Sequence, residues 1–170
     1  DPADHQPSLL DGVTETDADL ALGVRGGSRY WVAAIRECFE ECGVLLASRD
    51  EALIRLGAET ERDRFNRYRQ ALIDRSLDIA TLCTQEGLRL AGDRVRYFSH
   101  WITPVGEARR FDTRFFVAAA PESQEPLHDS QETIASLWVK PQDALDKLVR
   151  GELAMFPPTS ENLKFLADFK

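Results

Sequence analysis

From Tyr30 to Cys42 apolar residues recur every three to four positions, and Gly43 follows. That spacing predicts an amphipathic helix closed by a glycine. The next run, Val44-Leu45-Leu46-Ala47, is too short for a helix and reads as extended. Helical spacing returns over residues 49–90, in Leu53, Ile54 and Leu56, then Phe65, Tyr68, Leu72 and Ile73, then Leu77, Ile79, Ala80 and Leu82. Two or three amphipathic helices are expected there, punctuated by Gly57 and Gly87, with the charged run Glu59–Arg69 as a solvated face. After Gly92 the pattern changes to aromatic and β-branched residues, predicting strands at 95–102 and 111–118. The loop between them has hairpin length. Leu137-Trp138-Val139 reads as a third strand stopped by Pro141. Helices are expected at Pro141–Arg150, ended by Gly151, and at Ser160–Phe169, entered through Pro157-Pro158-Thr159 with Ser160 in a capping position. Residues 1–29, dense in Asp, Gly, Ser and Thr, read as loop with at most a short helix around Asp17–Leu22.

The 170 residues fit one domain, or one domain with an insertion, and 43% hydrophobic residues suffice for a core. Acidic residues outnumber basic ones 29 to 21, for a net charge of −8. A general affinity for nucleic acid or anionic membrane needs the opposite balance. A small phosphorylated substrate is still compatible, because a bound cation reverses the local field. No apolar run is long enough to span a bilayer, and the polar start Asp1-Pro2-Ala3-Asp4 is no signal peptide. Three cysteines without a Cys-x-x-Cys pair fit neither a disulfide framework nor a zinc knuckle, so a cytoplasmic location is expected. A start at Asp-Pro rather than Met suggests that a segment precedes this chain.

The chemistry concentrates on the helix at 30–42. With each residue advancing about 100°, Glu37, Glu40 and Glu41 converge on one face, and Ile35, Phe39 and Cys42 lie opposite. No Lys is interleaved, and Arg36 sits about 100° off the acidic axis. Like charges at this spacing repel by a few tenths of a kcal/mol per pair. A cation held by the three carboxylates would relieve that repulsion, and all-oxygen ligation selects hard ions such as Mg²⁺ or Mn²⁺. By spacing alone, a merely solvated acidic face is the competing reading.

The segment Arg36-Glu37-Cys38-Phe39-Glu40-Glu41-Cys42-Gly43-Val44 resembles the second half of the Nudix box, R-E-U-x-E-E-x-G-U, with Cys38 and Val44 in the apolar U positions. By that resemblance Glu37, Glu40 and Glu41 are metal carboxylates, Glu41 and Arg36 are catalytic, and Arg36 orients the box. The full motif would need Gly at 22 and Glu at 28, where this chain has Leu22 and Ser28. One Nudix subgroup carries an insertion between its glycine turn and the Arg-Glu helix, and residues 1–29 look like that insertion. The glycine turn would then precede Asp1. Ser99-His100-Trp101-Ile102-Thr103-Pro104, Arg110-Phe111-Asp112-Thr113-Arg114-Phe115-Phe116, the helical insert at 49–90 and Pro157-Pro158-Thr159 are similar to the nucleoside diphosphate-linked moiety X motif nineteen branch. The characterised animal members of that branch are coenzyme A diphosphatases.

The resemblance implies one domain over 1–170, an α/β/α Nudix sandwich with a mixed sheet, a helical insertion at 49–90, and N-terminal strands missing from this chain. It implies metal-dependent hydrolysis of a diphosphate in a nucleoside diphosphate-linked small molecule, coenzyme A or acyl-coenzyme A first. ADP-ribose or NADH-type substrates, or a Nudix-fold binding module without turnover, are the alternatives. A homodimer is compatible with the family; nucleic-acid and membrane partners are not expected. Nudix enzymes often take a further Glu from outside the box, shortly before a Trp-Val strand; Glu132 holds that place, with Asp129 as competitor and a solvent-exposed loop acid as the plain alternative. Arg110 and Arg114 suit phosphate oxygens, or else pair with Asp112 on a shared strand face. Trp101, Phe98 and Phe116 are expected in the core rather than stacked on a base. His100 is expected to be structural, and Cys38 and Cys42 to be buried thiols on the apolar face of their helix.

Overall fold

The computed structural model describes residues 4–124 and 137–169. Within them, residues 4–98 with 114–124 form one compact unit, and 99–113 with 137–169 form a second.

In the first unit, Thr14 and Asp17 make a capping box that starts α1, Glu15–Leu22. The short helix expected in this segment is thus present, preceded by a 3₁₀ turn at Pro7–Leu9. The acidic-faced helix is α2, Ser28–Cys42, ended by Gly43 at φ 71°, a left-handed conformation that favours glycine. Trp31, Val32, Ile35 and Phe39 of α2 are buried in the core. Each such side chain contributes about 1.5–3 kcal/mol on burial.

The chain then forms β1 (Ala47–Arg49), β2 (Ala52–Leu53), α3 (Glu59–Ile73), α4 (Ile79–Glu86) and β3 (Arg89–Leu90). The three strands order as β2-β1-β3, antiparallel, with Ser48 opposite Leu53 and Ala47 opposite Leu90. A parallel bridge joins Leu10 to Leu90. Val44, Leu45 and Leu46 are buried but lie outside the ladder. The buried amide of Gln124 takes the place of a strand partner: its Oε1 accepts from Leu45 N–H (2.9 Å), and its Nε2 donates to Leu45 O (3.0 Å). The segment at 49–90 holds two helices, α3 and α4, whereas Leu53, Ile54 and Leu56, expected on a helix, lie in or just after β2, where Leu53 pairs with Ser48. In the charged run of α3, Phe65 and Arg69 are nonetheless buried.

Strands β4 (Val95–Ile102) and β5 (Asp112–Ala118) pair as the expected hairpin. In the first unit, Trp31 Nε1 donates to Val95 O (3.1 Å), and the Trp31 ring meets Phe116 edge-on at 4.9 Å. In the second unit, Thr103 N–H donates to Phe111 O and Phe111 N–H to Thr103 Oγ1, both at 2.9 Å, closing the hairpin loop. Here α5 (Pro141–Val149) packs on α6 (Pro157–Ala167), and Ser99 Oγ donates to Asn162 Oδ1 (2.7 Å).

Two expectations fail in this unit. Leu137-Trp138-Val139 is not a strand; it has no ladder partner among the described residues, and all three side chains are exposed. The last helix begins at Pro157 rather than Ser160, because two prolines fit its first turn, where no N–H partner is needed. Ser160 Oγ instead donates to Pro157 O. Among the described residues no helix is long and apolar enough to cross a membrane.

Candidate active site

Both ends of α2 are capped by side chains from other helices. At its start, Gly27 N–H donates to Asp19 Oδ1 (2.7 Å), and Ser28 Oγ donates to Glu15 Oε2. Two α1 carboxylates thus face the positive end of the α2 dipole. A Cβ at Gly27 would lie 2.6 Å from the backbone carbonyl of Ala18, so only glycine permits this approach. At its end, α2 has no basic residue in its own last turn. Arg69 of α3 supplies one: its Nε donates to Glu40 O and its Nη2 to Glu41 O, both at 2.9 Å. Two of the helix's orphan carbonyls are satisfied this way, and Gly43 N–H covers that of Phe39.

Arg36 organises the acidic side. Its Nε and Nη2 donate to the two carboxylate oxygens of Asp4 at 2.9 and 3.1 Å, its Nη1 donates to Glu40 (2.9 Å), and its Nη2 also reaches Glu37 (2.7 Å). The Asp4 side chain is 2% exposed and that of Arg36 14%. Burial pulls the Arg36 pKa down, but hydrogen bonds to Asp4 and Glu40 outweigh it and hold the guanidinium above its ordinary value. The helical-wheel angle alone placed Arg36 beside the acidic axis; its long side chain reaches back to three carboxylates.

Among the described residues no group of three or more His, Cys, Asp and Glu side chains is gathered about one point suited to a metal. Glu40 turns toward Arg36, with its side chain 17% exposed, whereas Glu37 is 51% exposed and Glu41 also reaches solvent. As a donor set, three carboxylates on successive turns with no nitrogen or sulfur among them fit a hard divalent cation. Cys38 and Cys42 are half-buried rather than buried, with their sulfurs 3.6 Å apart. The hydrogen bond between them, reinforced by burial, pushes the Cys38 thiol up. The same bond draws Cys42 down to about 7.

The remaining candidates belong to both units. Arg114 in the first unit lies over the Tyr30 ring, 4.4 Å from its centroid. Arg110 in the second unit is exposed and donates from Nε to Thr103 O (3.1 Å). Asp112 of the second unit meets His100 Nε2 at 2.5 Å. Phe116 is half-buried and packs against the first unit's core, and Trp101 is half-buried against Ser99. Glu132 and Asp129 lie outside the described residues.

Asp4 and Arg69 have no local signal of their own.

This mixed α and β architecture is that of a Nudix hydrolase fold. A crystal structure of a NUDIX hydrolase from Alicyclobacillus acidocaldarius is similar to this chain, with a TM-score of 0.71 and 26% identity, over 98% of this chain and 72% of that one. Within the class, the chain belongs to the NUDT19 Nudix domain family, which it matches over residues 1–166. It is similar to the acyl-coenzyme A diphosphatase NUDT19 of Gallus gallus, at 28% identity over 165 residues, 88% of this chain and 43% of that protein. The acyl-coenzyme A diphosphatase NUDT19 of Xenopus laevis is 25% identical over 148 residues, 81% of this chain and 39% of that one. The chain therefore spans less than half the length of these relatives.

Proposed function

We propose that the chain hydrolyses the diphosphate bond of a coenzyme A-type nucleoside diphosphate derivative, with α2 carrying the metal-dependent site. The observation that carries this reading is the acidic turn of α2, with Glu37 and Glu40 held by Arg36 and Arg36 held by buried Asp4. The substrate class rests on the names of the relatives above.

Glu37, Glu40 and Glu41 would hold Mg²⁺ or Mn²⁺, which neutralises diphosphate charge and lowers the pKa of attacking water. Arg36 fixes the rotamer of Glu40 through Nη1, which donates to both carboxylate oxygens, so that carboxylate is oriented before substrate arrives. Glu41, exposed on the same face, and Glu132 are the proposed groups that take the proton from water as its oxygen bonds to phosphorus and the bridging P–O bond breaks. Arg110 and Arg114 are the proposed phosphate contacts, since guanidinium matches phosphate oxygens. The three unpaired thiols suit a reducing compartment, in keeping with a cytoplasmic location.

The test is a turnover screen of coenzyme A, an acyl-coenzyme A, ADP-ribose and NADH with Mg²⁺ or Mn²⁺, products being followed by phosphorus NMR. Coenzyme A or its acyl ester is expected to be cleaved at the diphosphate with the highest kcat/KM. Faster cleavage of ADP-ribose or NADH overturns the substrate class. Binding of all four with no cleavage makes the chain a nucleotide-binding module.

A further inference from the structure

We infer that Arg69 is a positioning residue for the metal carboxylates, and that the helical insertion acts on the site through it. This rests on the metal reading of α2 given above. Arg69 is 8% exposed, in a helix whose charged run is otherwise mostly in solvent. A buried guanidinium is costly unless its donors are matched, and here the matched acceptors are the main-chain oxygens of Glu40 and Glu41. Those carbonyls belong to the final turn of α2, where no further helical N–H is available and where fraying or tightening to a 3₁₀ turn is easiest.

A change from α to 3₁₀ spacing would rotate Glu41 relative to Glu37 and separate two proposed ligands that α-helical geometry keeps on one face. Arg69 prevents this from the backbone side, while Arg36 holds Glu40 by its side chain. The planar fork matters as well as the charge. A lysine keeps the cation but offers one nitrogen where the guanidinium presents two in a fixed plane. The nearby exposed Arg67 on α3 touches neither carbonyl and is the natural control.

The experiment is direct Mn²⁺ binding to the whole chain, measured by the EPR signal of free Mn²⁺, for the parent, Arg69→Lys, Arg69→Gln, Arg67→Lys and Glu41→Gln. Each protein is measured well below its own melting temperature, after circular dichroism shows parent-like helix content. Arg69→Lys and Arg69→Gln are expected to bind Mn²⁺ about tenfold more weakly, the scale of other outer-shell partners, while Arg67→Lys binds as the parent does. If either Arg69 variant folds, melts at a lower temperature and yet binds Mn²⁺ like the parent, Arg69 is only a helix cap and the inference is overturned. If Glu41→Gln binds Mn²⁺ as tightly as the parent, the metal reading itself falls and takes the inference with it. Weakened binding in Glu41→Gln with none in the Arg69 variants leaves the metal reading standing and overturns this inference alone.

Discussion

Asp4 and Arg36 are separated by 32 residues and joined by a two-pronged ion pair at 2.9 and 3.1 Å. Both side chains are largely shielded from water, so the pair is not a surface contact of negligible worth. Removing one partner leaves the other charge buried. Asp4→Asn is expected to cost about 3 kcal/mol and lower Tm by roughly 10 °C. Asp63→Asn, an exposed acid on α3, should stay within about 0.5 kcal/mol of the parent. Thermal unfolding followed by circular dichroism checks both, and a parent-like Tm for Asp4→Asn would mean the pair does not hold the N-terminal segment. At this scale the sequence was legible where motif and spacing are local. Arg36, Glu37, Glu40 and Glu41 fall within six positions, so motif and helical spacing single them out as candidates together. Asp4 and Arg69 act from 32 and 29 positions away from their partners, and nothing in their own neighbourhoods distinguishes them from solvated charges.

Helix α2 is a clamped element: its first turn faces two carboxylates of α1, and its last turn receives a guanidinium of α3. The close approach of α1 depends on Gly27, where a side chain would strike the Ala18 backbone rather than a movable side-chain tip. Gly27→Ala is therefore expected to lose about 1–3 kcal/mol, the cost of overpacking. A lower urea midpoint with unchanged m value would register it. An unchanged midpoint would mean that α1 is free to move away from α2.

Element positions followed well from hydrophobic period: α2, the two helices of the insertion and both strands of the β4–β5 hairpin lie close to where the pattern puts them. Ends and partners followed less well. Val44–Leu46 is extended and buried, yet its polar backbone is met by the Gln124 side chain, a contact between residues 79 apart. Leu137-Trp138-Val139 has strand composition but no strand partner among the described residues, and composition cannot supply one.

At the scale of the molecule, a chain of net charge −8 is proposed to act on an anionic diphosphate. Its overall field opposes that substrate, and the proposed metal ion together with nearby guanidinium groups would reverse the balance locally at α2. Family membership fixes the fold. Which of Glu37, Glu40 and Glu41 serve turnover is a matter for the measurements below.

The most direct test of the central claim is the Mn²⁺ dependence of coenzyme A hydrolysis by the parent and by Glu41→Gln, compared at equal helix content. The expected result is Mn²⁺-dependent turnover by the parent and a kcat lower by about a hundredfold or more in the variant. Equal turnover by the two proteins, or turnover by the parent that persists after chelation of divalent ions, would contradict the assignment of α2 as the metal-dependent site.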